Sequence, residues 1–405
     1  MRVVLLNQYY APAEAATAQL LADLGRHLAR AGHGVQVICS RRSYPDPSIV
    51  FPARETLDGV SVRRTWTTGF GRARAAGRLT DYLGFMVGAG RALALERNVD
   101  VVVALTTPPL VDTLGVAVAR LRGARVLLWV MDIYPELAFE LGVLRRRSPL
   151  GWLLARVAEA TLSRADGVIA LGEAMAERLR ASHAPHVTVV HNWADGAAIR
   201  PRPAAQNVLR KRWGWRERFV VLYSGNLGLA HEFDTLLEAA ERLRGEAEVL
   251  FAFVGEGPRR RYVEREVERR GLTNVEFRPH VERDALGESL TAGDLHLVTL
   301  RDGIAGLVVP SKIYGVLAAG RPTIFVGPAN CEVAGILQEG GCGVRVAGGD
   351  SSGLAAAVRG YLGDRGRCAA EGQRARELFD RRFTMEQGLE AHRRAIEAAG
   401  RERRE

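Results

Sequence analysis

Short apolar runs rich in Val, Leu and Ile alternate along this chain with segments whose apolar positions recur at helical spacing. The first run, RVVLL, predicts a strand, and residues 15–30 predict a helix with Leu20, Leu21, Leu24 and Leu28 on one face. Further strands are predicted at 33–40, 100–105, 124–132, 166–171 and 187–192. The runs are apolar throughout rather than alternating, so they belong to a parallel sheet covered on both faces. At 194–218 the texture turns to Pro, Ala and charge, and no strand is expected. The rhythm then restarts, with strands predicted at 219–226, 248–257, 274–279, 294–300, 322–327 and 343–348.

A chain of 405 residues exceeds a single hydrophobic core. The pattern therefore divides into a domain at 1–193, a linker at 194–218, a second domain at 219–378 and a C-terminal helix at 379–405, with 401–405 frayed and the helix packing back on the first domain. The predicted fold is α/β, two doubly wound Rossmann-like domains facing across a cleft. Ligands in such sheets bind beyond the carboxyl ends of the strands.

Composition narrows the picture slightly. The four cysteines, Cys39, Cys331, Cys342 and Cys368, have neither metal nor disulfide spacing and are expected as free thiols. No apolar run approaches a spanning helix or a signal peptide, so the cytosol is the expected compartment. The net charge of +10 favours an anionic partner. Nucleic acid ranks last among such partners, because the arginines are dispersed and no nucleic-acid motif is present.

Of 56 basic side chains only two are lysine, Lys211 and Lys312. Lys312 lies in PSKIYGVLAAGRP, which predicts a short helix capped by Ser311 or its neighbour and stopped by Gly320. A lysine in a first helical turn opposes the helix dipole, which makes sense where an anion binds. The alternative is a solvated surface lysine. Asp132 stands at a predicted strand end, with Glu136 four residues on; it reads as a polar contact for a substrate or as the cap of the next helix. Gly255 and Gly257 offer a close backbone approach but lack the third glycine of a dinucleotide fingerprint. The small residues Ala15, Ala16 and Thr17 keep the first strand-to-helix turn open to an anion or remain an ordinary turn. No metal-binding constellation occurs in the sequence. Two basic-aromatic stretches suit either an anionic membrane face or a helix covering the core. One holds Phe70, Arg72, Arg74, Arg78, Tyr82, Phe85, Met86 and Arg91; the other holds Arg145, Arg146, Arg147, Trp152, Leu153 and Leu154.

The segments NQYYAP, GHGVQV, MDIYPE, ADGVIALGEAMAERL, VVHNWAD, YSGNLGLAHEFDTLLEAA, FVGEGP, NVEFRPHV and GLVVPSKIYGVLAAGRP, in this order, resemble the family 4 glycosyltransferases of GT-B architecture, and within them the bacterial colanic-acid and O-antigen enzymes. The resemblance implies retaining transfer of a sugar from a nucleotide-diphosphate-sugar, UDP first and GDP second, to an acceptor hydroxyl, with no metal and no cofactor. It also implies a lipid-linked saccharide acceptor, with peripheral contact at the inner membrane face. Pro279, His280 and Val281 would frame the base. Gly225 and Asn226, with the turn carrying Gly306, Leu307, Ser311 and Lys312, would face the diphosphate. Ala15, Ala16 and Thr17 would lie on the acceptor side, and Asp132 near the transferred sugar or acceptor. The chain departs from the family pattern in four places. Its Glu-x7-Glu positions hold Leu307 and Gly315, its basic pair is Asn226 and His231, its strand-end histidine is Met131, and its first-loop glycines are Ala15 and Ala16. Two other readings stay open: a nucleotide-sugar epimerase using Asp132 with Glu136, and a non-catalytic nucleotide-binding subunit.

Overall fold

The computed structural model describes residues 1–13, 15–43, 46–70 and 75–401. Arg72, Arg74 and the side chain of Arg78 lie outside the described residues, as do Glu14 within the first turn and 402–405 of the expected frayed end.

The chain forms two units, Met1–His191 with Gly388–Glu405, and Asn192–Gln387. The first runs β1 (Arg2–Leu6), α1 (Ala16–Arg30), β2 (Gly34–Ser40), β3 (Arg54–Leu57), β4 (Val60–Thr65), α2 (Ala75–Ala94), β5 (Val101–Leu105), α3 (Val111–Leu121), β6 (Arg125–Trp129), α4 (Glu136–Glu140), α5 (Pro149–Ser163), β7 (Gly167–Ala170), α6 (Glu173–Ala181) and β8 (Val187–Val189). Its sheet order is β3-β4-β2-β1-β5-β6-β7-β8. All pairings are parallel except β3 with β4. The sequence pattern does not reveal that antiparallel ribbon. Its strands, RETL and VSVRRT, are half polar, as an edge ribbon exposed on one face requires.

The second unit runs α7 (Val208–Arg212), β9 (Phe219–Ser224), α8 (Asp234–Arg242), β10 (Val249–Val254), α9 (Arg260–Arg270), β11 (Val275–Arg278), α10 (Leu286–Thr291), β12 (Leu295–Thr299), α11 (Lys312–Ala318), β13 (Thr323–Val326), α12 (Glu332–Gly340), β14 (Gly343–Val346), α13 (Ser351–Gly363) and α14 (Arg365–Arg382). Its parallel sheet has the order β11-β10-β9-β12-β13-β14. Phe219, Val221, Tyr223, Phe251 and Phe253 fill one face, packed with α8 and α13, while Val220, Leu222, Leu250 and Trp215 fill the other.

The stretch at 194–218 is not a spacer. Asn207, Arg210 and Trp215 are buried within the second unit. The Asn207 amide donates to the Glu288 carbonyl, and Arg210 pairs with Asp294 at 2.9 Å. Its Pro and charge content hid this, because one indole and two polar anchors do the packing. The C-terminal segment also divides differently: α14 ends at Arg382, and α15 (Met385–Arg401) follows after a break. From Gly388 onward α15 belongs to the first unit, where His392 lies 4.3 Å from the Trp129 ring and His33 pairs with Glu397 at 3.1 Å.

In each sheet the chain reverses direction once, between β1 and β5 and between β9 and β12. Such switch points leave a crevice at the carboxyl ends of the strands, where ligands bind.

Candidate functional site

The switch point of the second unit carries an enclosed lysine. Tyr223 comes from the end of β9, Thr299 from the end of β12, and Lys312 from the start of α11. The Lys312 amine rests over the Tyr223 ring, 3.6 Å from its centroid, and is enclosed without a hydrogen-bond partner. Although the residue as a whole is half-buried, its nitrogen is cut off from solvent. Burial holds its pKa well below the ordinary lysine value. A desolvated ammonium loses several kcal/mol of hydration, and a ring face returns about 0.5–2 kcal/mol, so without an anion the charged form is disfavoured.

This overturns both sequence arguments about Lys312. It is not a solvated surface lysine. Nor does the helix dipole explain it, since α11 has only seven residues and the amine sits on a ring from another element. Ser311 is exposed and gives the helix no side-chain cap, because its own backbone is already helical (φ −63°, ψ −15°).

Around the amine the groups are neutral. The His231 Nδ1 donates to the Thr299 carbonyl at 2.7 Å, which fixes its tautomer. Burial holds that imidazole down at about 3. The Tyr223 hydroxyl donates to the Asn226 carbonyl at 2.8 Å, and burial keeps the phenol protonated. The loops beyond β9 and β10 lie against one another. Gly225 has φ +119° and Gly255 φ +136°, and a Cβ on Gly255 would stand 2.2 Å from the Gly225 carbonyl oxygen. Only glycine satisfies both the conformation and the approach. A Cβ on Gly225 would lie 3.6 Å from the Lys312 Cε, so backbone and amine bound one small space.

Pro279 and His280 are exposed just after β11, and Val281 packs partly against the core beside Trp213. Because β11 lies two strands from β9, these residues stand roughly 9.6 Å along the sheet from the lysine end, with Gly255 and Gly257 between. Gly306 turns with φ +73°, and Leu307 is buried at 1% exposure, so its side chain faces the core and only its backbone is open to a ligand.

In the first unit, Asp132 stands three residues past the end of β6. Its N–H and that of Met131 donate to the Thr106 hydroxyl at 3.2 and 3.0 Å. Burial raises its carboxyl to about 6. It is not the helix cap, a position held by Pro135. Glu136 opens the five-residue α4, and no hydrogen bond joins it to Asp132 among the described residues. Ala15 occupies the N-cap position of α1, with Ala16 and Thr17 in its first turn, and no side chain caps that end. The Arg64 guanidinium, buried at the back of this loop, donates to the Ala11 carbonyl at 2.6 Å.

Two residues that the sequence reading passed over belong with these. Asp112, in the first turn of α3, has its carboxyl raised to about 6 by burial and faces the Tyr82 phenol. Its signal was an acid opening an otherwise apolar helix, VDTLGVAVARL. Asn7, at the end of β1, is fully buried; its amide nitrogen donates to the Tyr9 carbonyl and its Oδ1 has no partner.

The basic-aromatic stretches separate. Phe85, Ala89, Ala92 and Leu93 of α2 are in the core, which supports the covering-helix reading there. Around α5 the opposite holds. Arg145, Arg146 and Arg147 are exposed, and so are Val143, Leu150, Trp152 and Leu153, with Trp152 at 63%. Among the described residues no helix is long and apolar enough to cross a membrane, and no three metal-ligating side chains cluster.

Comparison with known proteins bears on both units. The glycosyl transferase 4-like domain matches residues 16–193, and the glycosyl transferases group 1 domain matches residues 218–364. A protein of Escherichia coli (strain K12) named as a colanic acid biosynthesis glycosyl transferase, WcaI, is 31% identical over 54% of this chain and 55% of its own length. WbjE of Pseudomonas aeruginosa, named as a glycosyltransferase, is 27% identical over 61% of this chain and 62% of its own. The matched region thus spans little more than half of each relative. Among solved structures, HepE of Anabaena in complex with UDP shares the fold with a TM-score of 0.74 at 16% identity, over 98% of this chain and 100% of that one. Sucrose-phosphate synthase from Thermosynechococcus elongatus does so at 0.77 and 17%, over 98% and 100%. With two switch-point sheets and both family domains in register along it, this chain belongs to the family 4 glycosyltransferases of GT-B fold.

Proposed function

We propose that the protein transfers a sugar from a nucleotide-diphosphate-sugar to an acceptor hydroxyl, with retention at the anomeric carbon and without a metal, in the building of a cell-surface polysaccharide. The observation that carries this reading is the Lys312 amine, enclosed and unpartnered at the switch point beside Gly225. A diphosphate is the partner that such an amine lacks. Its charge grows as the sugar departs, and a positioned cation in a dry site stabilises that change more than the ground state. Backbone groups at Gly225, Asn226, Gly255 and Gly257 would lie along the diphosphate, and Pro279–Val281 would meet the base. UDP is the first expectation and GDP the second; the UDP complex of HepE, a protein of the same fold, supports that order.

The acceptor would lie on the first unit, where the Asp132 carboxyl would accept hydrogen bonds from sugar hydroxyls. A lipid-linked saccharide suits the exposed arginines and Trp152 around α5, which fit an anionic membrane face. The names of WcaI and WaaG, the latter solved as a lipopolysaccharide glycosyltransferase, agree with that setting.

The test is thermal stability against UDP, GDP, ADP and dTDP. Binding at one hundred times Kd adds about 2.7 kcal/mol. One nucleotide is expected to raise Tm, and incubation of its sugar with lipid-linked acceptors should then yield a glycosylated product. Free isomerised nucleotide-sugar without acceptor would favour an epimerase, and binding without any turnover would favour a non-catalytic subunit.

A further inference from the structure

We infer that Lys312 is a neutral amine in the ligand-free protein and becomes an ammonium only as the donor diphosphate arrives, so that each nucleotide-sugar bound brings a proton from solvent. The inference rests on the donor site proposed above and adds the protonation state of its central residue.

The geometry supplies the argument. The amine has no acceptor within hydrogen-bond reach and is closed off from water. The groups that β9, the loop after it and β12 present to it are uncharged. From β9 comes the Tyr223 ring, and from the following loop Gly225 and His231. From β12 come the Thr299 carbonyl, already taken by His231, and His296, whose Nε2 is 2.8 Å from the Leu290 carbonyl. Burial holds both imidazoles well below neutral, at about 3 for His231 and about 4 for His296. No carboxylate is paired with Lys312 among the described residues. An ammonium here would be a lone buried charge beside groups that cannot answer it. A diphosphate reverses this, because its two negative charges favour the charged form of a nearby amine. An arginine could not make the same change, since its guanidinium stays protonated. That explains a lysine at this point in a chain that, Lys211 apart, places the rest of its positive charge on arginine.

Two measurements test it on the full chain. The first is calorimetric titration with UDP-glucose and GDP-mannose, whose diphosphate diesters do not titrate near neutrality, in buffers of differing ionisation enthalpy at pH 7.5. The expected result is a heat that varies with the buffer, corresponding to uptake of up to one proton per ligand, and an affinity that weakens by up to about tenfold per pH unit as pH rises. Lys312→Met should abolish the uptake. The second is Tm of the ligand-free protein. A base whose folded pKa is depressed costs stability below its unfolded pKa, because the unfolded chain binds a proton that the folded one refuses. Lys312→Met should therefore raise Tm at pH 7.5, with the gain shrinking as pH approaches 10. Buffer-independent heat with tight binding, or a variant with lower Tm, overturns the inference and leaves the donor site standing. No binding of either nucleotide-sugar removes the donor site and the inference together.

Discussion

The Lys312 nitrogen lies 3.6 Å from the centre of the Tyr223 ring and is enclosed without an acceptor. A cation needed only for stability would be placed beside a carboxylate or in water. Lys312→Ala is therefore expected to lower turnover at least tenfold, about 1.4 kcal/mol of transition-state stabilisation, with the fold intact by circular dichroism. Near-normal kinetics would sink the role given to it. Lys312→Arg should not restore activity, and it should lower Tm in the free protein, because it commits a permanent charge to the same enclosure.

Asp132 offers a pH-dependent test. Its carboxyl, raised to about 6 by burial, stays protonated in the folded chain where the unfolded chain has already ionised. That group contributes stability in acid, and the contribution is lost as pH rises from about 4 through 6. Asp132→Asn should thus stabilise the fold at pH 7 by on the order of 1 kcal/mol, discounted because the residue is only half-buried and seen as a higher Tm, and the gain should vanish near pH 4. Turnover should fall in the same variant. A lower Tm at pH 7 would mean that the carboxylate is held by interactions that favour its charge.

Gly255 is the backbone counterpart. With φ +136° and a Cβ that would stand 2.2 Å from the Gly225 carbonyl, Gly255→Ala forces apart the two loops beyond β9 and β10. A loss of at least about 2 kcal/mol is expected, seen as a lower urea midpoint, with weaker nucleotide binding in the molecules that still fold. An unchanged midpoint would show that the loops move independently.

The surface around α5 makes a separate prediction. Reversing Arg145, Arg146 and Arg147 to glutamate should abolish flotation with vesicles rich in phosphatidylglycerol, since each basic residue near such a surface contributes about 1 kcal/mol. Trp152→Ala should weaken flotation at any salt concentration. Both variants should keep the wild-type Tm, because these side chains are exposed. Equal flotation of wild type and the charge-reversed protein would count against membrane contact here.

The central strands were legible because runs such as VVVAL and VLFAFV are apolar on both faces, and only a covered parallel sheet accounts for that. The β3–β4 ribbon was not, although Asp58-Gly59 marks its turn at φ 50° and 82°, because half its residues face water and mimic a loop. Lys312 stood out by composition, yet for a reason the structure replaces. Its significance comes from the neighbouring of β9 and β12, which are separated in sequence by two other strands, and local pattern carries no information about that adjacency. Asp112 escaped notice for the same reason: a lone acid in an apolar helix looks like a wet face until its neighbours are known.

The last helix has a consequence for how the protein is made. From Gly388 onward α15 completes the first unit, with Gly400 against Met1 and His392 beside Trp129, and everything from Asn192 to Gln387 lies between in the chain. Synthesis runs from the amino end, so the first unit leaves the ribosome with the surface that α15 covers still exposed, and the second unit can fold before it. The half of the molecule that is translated first is the half that is finished last.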